Sequence, residues 1–201
     1  MCERDYDFIF KIVIIGDAHV GKTSLLSRFT DDKFNENYLN TLGVDFKLKT
    51  VKVNDHVVKL NIWDTAGEEL YNSLTTAFYR GCHGFVLVFS LTEKKSFTNL
   101  SHWLKEIDKN ANSTNVRLLV GNKLDLNDER VVSFEQAKIF ADSRKLQYIE
   151  TSAKSSENVE EAFLTLADDV ITLFPNSKLQ NDVIKLDTHN IKISESPCSY
   201  C

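Results

Sequence analysis

The sequence predicts an α/β fold with a mostly parallel, doubly wound sheet that carries helices on both faces. Strand-like and helix-like segments alternate along most of the 201 residues, as βα units require. Two strand-like segments follow one another directly around Asn54-Asp55, a turn signal, which predicts a hairpin with one antiparallel pairing. Polar motifs come directly after strand-like segments, which is where ligands bind in sheets of this kind.

Six segments are predicted to be strands and five to be helices. In the last helix, apolar residues recur with the 3.6-residue period of one buried face, and Pro175 ends it. The predicted strands are Phe8–Ile15, Val44–Val53, Val57–Trp63, Phe85–Leu91, Val116–Val120 and Tyr148–Thr151. The predicted helices are Lys22–Phe29, Leu70–Tyr79, Lys95–Asn110, Phe134–Arg144 and Val159–Phe174.

Composition and charge narrow the class of protein. A chain of this length holds one domain with a substantial core and is short for two. The net charge of −5 gives no reason to expect nucleic acid, which favours a basic patch. The N-terminal residues match neither a signal peptide nor a membrane span, so we expect a cytosolic chain with reduced cysteines. Beyond Pro175 the apolar periodicity fades, and residues 175–201 are predicted to be a flexible tail.

One segment fits the phosphate-binding pattern G-x-x-x-x-G-K-[ST]. It runs from Gly16 to Thr23, between the first predicted strand and the first predicted helix. Its glycines let backbone N–H groups turn inward and bind an anion at the helix N-terminus. Lys22 then reaches the β- and γ-phosphates of a nucleotide, and the Thr23 hydroxyl is placed to ligate Mg²⁺. The alternative, a chance glycine-rich turn, is disfavoured by the order of strand, loop and helix.

A second motif, Asp64-Thr65-Ala66-Gly67, follows the third predicted strand. A carboxylate beside a phosphate-binding loop suits Mg²⁺, usually through water, because hard cations prefer oxygen ligands. Gly67 leaves room for its own backbone N–H to approach a γ-phosphate. Alone the motif is weak, because Asp often simply caps a turn, but beside the first loop it becomes a strong indication of a nucleotide site.

Two further motifs follow the fifth and sixth predicted strands and indicate a guanine pocket. In Asn122-Lys123-Leu124-Asp125, the Asp125 carboxylate can accept from N1–H and the 2-amino group of guanine, whereas adenine offers no such donor pair. The stem of Lys123 is expected to lie over the base plane, and Asn122 to tie this loop to the first one. In Thr151-Ser152-Ala153-Lys154, the N–H of Ala153 is expected to complete the pocket.

With these motifs in place, the chain resembles a small GTPase of the Ras superfamily and, within it, a Rab protein. The resemblance covers about residues 8–174 and implies a P-loop NTPase G domain, over residues 1–174, with six strands around five helices. It also implies a monomeric switch that cycles between GTP and GDP with Mg²⁺. The motifs that carry the Rab resemblance are Leu42-Gly43-Val44-Asp45-Phe46, Leu60-Asn61-Ile62-Trp63-Asp64-Thr65-Ala66-Gly67 and Phe78-Tyr79-Arg80-Gly81.

The resemblance assigns roles residue by residue. Phe34 matches the aromatic residue beside the guanine, Tyr38 the tyrosine that closes over the phosphates, and Thr41 a threonine that ligates Mg²⁺ when the γ-phosphate is present. Phe46, Trp63 and Phe78 match an aromatic triad that effectors read, next to Leu42, Gly43, Val44 and Asp45. The nucleotide-binding set implied is Gly16, Asp17, Ala18, His19, Val20, Gly21, Lys22, Thr23, Ser24, Phe34, Tyr38, Thr41, Gly67, Asn122, Lys123, Asp125, Ser152, Ala153 and Lys154.

The chain departs from the family pattern in two segments, Ala18-His19 in the phosphate loop and Glu68-Glu69-Leu70-Tyr71, where the family usually has Gln-Glu-Arg-Phe. Glu68 stands where the family usually has Gln, which orients the attacking water with both an acceptor and a donor. Glu68 keeps the acceptor and loses the donor, although a carboxylate can also take a proton from water, so the sign of the effect on rate stays open. Ala18 and His19 replace the Ser and Gly of many relatives, and His19 is expected to be a solvent-facing loop residue rather than a catalytic base.

The end of the chain, Cys198-Ser199-Tyr200-Cys201, resembles the doubly geranylgeranylated ends of Rab proteins. One lipid chain anchors weakly, and the three Lys of the tail are balanced by three acidic residues, so two prenyl groups on Cys198 and Cys201 are expected. The resemblance implies exchange factors, activating proteins, a GDP-dissociation inhibitor with an escort protein, and GTP-dependent effectors. A cytosolic GDP form and a GTP form on the cytosolic face of endomembranes, acting in vesicle traffic, are expected.

Two other functions stay open. A chain that hydrolyses little GTP would be a binding scaffold, with Glu68 as the reason. A P-loop kinase for a small metabolite is disfavoured, because the sequence offers a guanine pocket and no lid segment.

Overall fold

The computed structural model describes residues 6–35, 44–65, 78–175 and 177. Within them, six strands form one sheet in the order β2-β3-β1-β4-β5-β6. Neighbouring strands are parallel except β2 and β3, which are antiparallel. The predicted fold is therefore confirmed. The strands are β1 (Phe8–Ile15), β2 (Val44–Val53), β3 (His56–Thr65), β4 (Gly84–Ser90), β5 (Val116–Asn122) and β6 (Gln147–Thr151).

Strands β3 and β5 run two residues further than predicted. Asp64 pairs with Asp45 in the β2–β3 ladder, and Asn122 pairs with Thr151 on β6. Both polar residues are thus the last part of a strand rather than the first part of a loop. Because a strand fixes the backbone, their side chains start from rigid positions.

Five α-helices are described along their whole length. The predicted single helix Lys95–Asn110 is wrong, because the chain forms two helices that meet at Asn99. The carbonyl of Asn99 accepts from the N–H groups of both His102 (2.9 Å) and Trp103 (3.2 Å), so a new helix begins there. The helices are α1 (Lys22–Asp31), α2 (Lys94–Thr98), α3 (Leu100–Asn110), α4 (Phe134–Ser143) and α5 (Val159–Leu173), and a 3₁₀ helix spans Leu124–Glu129.

One predicted helix, Leu70–Tyr79, lies outside the described residues except at its last two positions, which are helical. The single buried apolar face predicted for the last helix, α5, is confirmed, since its buried residues recur with the helical period. No helix in residues 6–35, 44–65 or 78–175 combines the length and the apolar character that a membrane crossing requires.

Two apolar cores cover the two faces of the sheet. On one face, α1 and α5 pack together and the rings of Phe29 and Phe163 stack at 4.1 Å. On the other face, Trp103 and Ile107 of α3 join Ala137 of α4 against β4 and β5. A capping box at Ser133 begins α4. Helices on both faces leave only the strand ends open to a ligand.

The register of the sheet brings polar strand ends together. Ser90 pairs with Asn122, and Asn122 pairs with Thr151, at the carboxyl ends of β4, β5 and β6. The carboxyl end of β1 leads directly into Gly16 at the same edge. The motifs that the sequence places more than a hundred residues apart therefore meet along one edge.

Candidate nucleotide-binding site

The loop between β1 and α1 needs glycine at two positions. Gly16 has a φ of +144°, and a Cβ placed there would lie 2.1 Å from the carbonyl oxygen of Val88. Gly21 has a φ of +94°, and its Cβ would lie 2.4 Å from Nδ2 of Asn122. Both conformations are ones that L side chains rarely adopt. The loop therefore packs tightly against β4 and β5, as close backbone approach to a phosphate requires.

Lys22 lies at the start of α1 and is 5% exposed. Its Nζ donates to the carbonyl oxygens of Gly16 and Asp17, each at 2.8 Å. Burial lowers its pKa to about 8, although Asp64 and Asp17 favour the ammonium form. The ammonium group is thus held across the loop at a helix N-terminus, where backbone N–H groups also favour an anion.

Thr23 and Asp64 meet beside this loop. The Thr23 hydroxyl donates to Oδ2 of Asp64. Asp64 is fully buried, and among the described residues its Oδ1 has no hydrogen-bond partner. Burial raises the pKa of Asp64 to about 6, against the Thr23 hydrogen bond and the charge of Lys22. A buried carboxylate oxygen without a partner, next to a hydroxyl, fits the oxygen ligands that Mg²⁺ prefers.

Asn122 joins the phosphate loop to both base loops and is 2% exposed. Its Nδ2 donates to the carbonyl oxygen of Val20 at 2.9 Å. Its Oδ1 accepts from the Thr151 hydroxyl and the Ala153 N–H, each at 3.3 Å. The tie between the loops that the sequence suggested is present. The Ala153 N–H, expected to face the base, donates to Asn122 in this structure.

Asp125 lies in the 3₁₀ helix after β5 and is exposed. The Ser152 hydroxyl donates to its Oδ1 at 2.6 Å, and the Ser155 N–H donates to Ser152 Oγ at 3.0 Å. Lys123 immediately precedes this 3₁₀ helix and adopts a left-handed conformation with φ +72°. These bonds orient the Asp125 carboxylate, which is exposed and accessible to donors on a ligand.

The structure also describes other predicted nucleotide-binding residues near the phosphate loop and the two base loops, which together are called the cradle. His19 is exposed, as expected, with a φ of +63°, while Ala18 and Ser24 are partly buried. Phe34 packs partly buried against the core of α1 and α5. The predicted residues Tyr38, Thr41, Gly67 and Glu68 lie outside the described residues.

The predicted effector surface is described in part. Phe46 is 41% exposed, as expected, while its ring lies 4.8 Å from that of Trp63. The rings of Trp63 and Phe78 lie 5.0 Å apart, so the three aromatic residues form one continuous cluster of tilted rings. Asp45 is exposed beside it. Leu42, Gly43, Cys198 and Cys201 lie outside the described residues, as does the side chain of Val44.

Sequence reasoning missed three side chains that hold this site. Arg28 of α1 donates through Nε to the carbonyl oxygen of Ala153 at 2.8 Å. Asn99 and Trp103 donate to the carboxylate of Asp17. No local pattern marks these residues, since the bonded partners lie 82 to 125 positions apart in the chain.

Comparison with known proteins agrees with this geometry. A family model described as the Ras family matches residues 11–172. The chain belongs to the Ras family. This Ras-family chain is 52% identical over 163 residues to the GTP-binding protein YPT1 of Saccharomyces cerevisiae, with 81% of the chain and 79% of the yeast protein covered.

Other relatives of this Ras-family chain carry Rab names. It is 48% identical over 169 residues to Ras-related protein Rab-8B of Homo sapiens, covering 84% of the chain and 82% of the human protein. It is 44% identical over 188 residues to Ras-related protein Rab-10 of Diplobatis ommata, covering 94% of each. The resemblance to a Rab-type small GTPase is thereby confirmed.

Proposed function

We propose that this chain is a Rab-type GTPase, a GTP/GDP switch of vesicle traffic whose nucleotide binds along the carboxyl edge of the sheet. The observation that carries the proposal is the Asn122 side chain, which bonds to the phosphate loop and to the last base loop at once. A single buried amide thereby combines a phosphate site and a base site into one cradle. Guanine nucleotides need both sites at a fixed separation.

The phosphates lie in the loop from Gly16 to Thr23. Backbone N–H groups at the start of α1 and the Lys22 ammonium face the β- and γ-phosphates. Lys22 already lies among carbonyl oxygens at 2.8 Å, so it reaches a phosphate with little rearrangement. A phosphate next to it raises the Lys22 pKa and keeps the lysine charged at neutral pH. Lys22 then stabilises the negative charge that develops during hydrolysis.

The base lies between the two remaining loops. Asp125 accepts from the guanine N1–H and 2-amino group, with its orientation set by the Ser152 hydroxyl at 2.6 Å. The stem of Lys123 covers one face of the base and Phe34 lies at its edge. The Ala153 N–H, now 3.3 Å from Asn122 Oδ1 and weakly bonded, can also donate to the base oxygen. Lys154 follows in the same loop.

Thr23 and Asp64 lie where an Mg²⁺ ion would be needed to neutralise phosphate charge. These two residues would hold the ion, since Asp64 has a buried Oδ1 with no hydrogen-bond partner among the described residues and Thr23 offers a hydroxyl oxygen. By the family resemblance, Thr41 would join this set in the GTP form, and the Gly67 N–H would donate to the γ-phosphate. Water that attacks the γ-phosphate is oriented by Glu68, which accepts a hydrogen bond from it but offers no amide donor.

Regulators and membranes complete the cycle. An exchange factor loads GTP, an activating protein speeds hydrolysis, and effectors bind the aromatic cluster of Phe46, Trp63 and Phe78 in the GTP form. Geranylgeranyl groups on Cys198 and Cys201, in the tail beyond the G domain of residues 1–174, attach the GTP form to the cytosolic face of endomembranes. A GDP-dissociation inhibitor and an escort protein keep the prenylated GDP form in the cytosol.

Asp125 provides the sharpest test of the base site. The variant Asp125→Asn presents an amide donor where guanine also donates, so it should lose GDP affinity and gain affinity for xanthosine diphosphate, whose 2-oxo group accepts. The exposed Asp128 in the same 3₁₀ helix supplies the control, since Asp128→Asn should bind like wild type. For wild type, Asp125→Asn and Asp128→Asn, the affinities for GDP, xanthosine diphosphate and ADP are measured by competition against a fluorescent GDP. An unchanged GDP preference in Asp125→Asn would contradict the assigned pocket.

The same chain with very slow hydrolysis would be a GTP-loaded scaffold rather than an efficient enzyme. The Glu68 position is the observation that favours this second candidate. Single-turnover hydrolysis of bound GTP, with and without an activating protein, separates the two.

A further inference from the structure

The phosphate loop contains a carboxylate that points away from the phosphates. Asp17 directly follows Gly16, and its backbone carbonyl oxygen accepts from Lys22 Nζ at 2.8 Å. Its side chain leaves the loop in the direction of α3. There Oδ2 accepts from Asn99 Nδ2 and Oδ1 accepts from Trp103 Nε1, both at 2.7 Å.

A negative side chain in a phosphate-binding loop poses a physical problem. Turned inward, the Asp17 carboxylate would repel the phosphates and compete for the Lys22 ammonium group. When the Asp17 carboxylate turns outward against α3, it needs hydrogen-bond donors from the protein to replace the hydrogen bonds it loses to water. Each of its oxygens has one, and hydrogen bonds of 2.7 Å to a charged acceptor are among the stronger kind.

The two donors are themselves held firmly. Trp103 is 7% exposed and packs in the core between α3, α4 and the sheet. Asn99 is the residue before α3, and its carbonyl begins that helix. The Asp17 carboxylate therefore also lies at the N-terminal end of α3, where the helix dipole favours a negative charge.

We infer that Asn99 and Trp103 are positioning residues for nucleotide binding, an inference that rests on the proposed nucleotide site. They hold the Asp17 carboxylate outside the phosphate loop and so fix the backbone carbonyl that orients Lys22. Weakening either donor lets the carboxylate turn toward the phosphates. The affinity for GTP then falls more than that for GDP, because GTP carries the extra charge.

An exchange of amide and carboxylate tests the inference without removing any side-chain volume. The variant Asn99→Asp replaces the donor by a second carboxylate facing Asp17, while Asp remains a good residue before a helix. We expect GDP affinity to fall by about tenfold, the usual effect of losing a hydrogen bond to a charged group, and GTP affinity to fall further. The double variant Asp17→Asn/Asn99→Asp restores one donor and one acceptor and should recover most of the loss.

The other end of α3 supplies a matched control. Asn110 donates through Nδ2 to Glu106 Oε2 at 3.1 Å, so Asn110→Asp makes the same chemical change far from the loop. It should lower thermal stability and leave the ratio of GTP to GDP affinity unchanged. Trp103→Phe, which keeps a ring and removes the N–H, should lower the ratio in the wild-type background and much less in the Asp17→Asn background.

For every protein, the affinities for fluorescent GDP and fluorescent GTP are measured in Mg²⁺ buffer. The melting temperature of each protein is measured at saturating GDP. Binding by Asn99→Asp equal to that of wild type overturns the inference. A double variant as weak as Asn99→Asp overturns it too, since a purely structural role for Asn99 would not be rescued by changing Asp17. Wild-type protein that binds neither nucleotide would instead overturn the proposed function.

Discussion

The ion pair between Arg130 and Glu150 should be the most costly one to break among those in the described residues. The Arg130 guanidinium donates to both Glu150 oxygens, at 2.8 and 2.7 Å, and the Tyr148 hydroxyl donates to Oε1 at 2.7 Å. The side chains of Arg130 and Glu150 are only 19% and 11% exposed. Arg130→Met would leave a largely buried carboxylate with one neutral donor.

Removing one partner of a fully buried pair costs about 3–5 kcal/mol of unfolding free energy. The remaining Tyr148 bond and the partial exposure reduce this to roughly 2–3 kcal/mol for Arg130→Met. The control is Arg117→Met. Arg117 bonds to Asp108 at 2.7 Å, but Asp108 is 62% exposed, so that loss should be about 0–1 kcal/mol.

The pH dependence of the loss has a definite sign. Burial pushes the Glu150 pKa up, but the bonds from Arg130 and Tyr148 outweigh it and hold the wild-type pKa below its usual range. The stability this group contributes is therefore present above the unfolded pKa and lost as pH falls through the folded one. Without Arg130, burial raises the Glu150 pKa, so the variant gains stability on protonation. The gap between wild type and Arg130→Met should therefore narrow as the pH is lowered from neutral.

Urea unfolding at fixed excess GDP and Mg²⁺ measures the gap, because bound nucleotide contributes to stability and must be held constant. The double variant Arg130→Met/Glu150→Gln should recover much of the loss by removing the unpaired charge. The reasoning is refuted if Arg130→Met costs no more than Arg117→Met, or if its cost does not shrink as the pH falls.

Three other predictions concern the loop, the catalytic water and the anchor. Gly21→Ala should abolish tight GDP binding, because its Cβ would lie 2.4 Å from a side-chain amide, whereas Gly81→Ala has no atom within 4 Å of its Cβ and should only lower the melting temperature. Glu68→Gln should hydrolyse GTP faster alone and at a similar rate with an activating protein; slower single-turnover hydrolysis alone would mean that the carboxylate is a productive base. Changing Cys198 and Cys201 together to Ser should leave the protein in the cytosolic fraction, and persistent membrane fractionation would place the anchor elsewhere.

Sequence patterns that are local were sufficient for most of the fold. The first two strands were predicted at their observed ends, because an apolar run and a regular alternation each mark a strand directly. The break at Asn99 was not predicted, because the apolar period continues through it. At Asn99 the carbonyl begins the hydrogen bonds of α3 while the side chain donates to Asp17, and the second contact is set by tertiary packing.

The residues of the candidate site also fall into two groups, those that local motifs predict and those that only tertiary packing positions. Lys22, Asn122 and Asp125 stand in short motifs whose spacing states their chemistry, so the sequence alone placed them together. Arg28 and Trp103 support the same loops from helices, and their partners are set by tertiary packing rather than spacing. No pattern in the sequence separates such a residue from an ordinary surface arginine or core tryptophan.

The Asn122 bonds also bear on how the protein is made. The loop from Gly16 to Thr23 is synthesised well before Asn122, yet its Val20 carbonyl is bonded to that residue, 102 positions later. Asn122 in turn bonds to Thr151 and Ala153 in the last strand and loop. Nascent chains shorter than this cannot form the cradle. Nucleotide capture by the complete cradle should therefore follow the synthesis of the segment that contains Thr151 and Ala153.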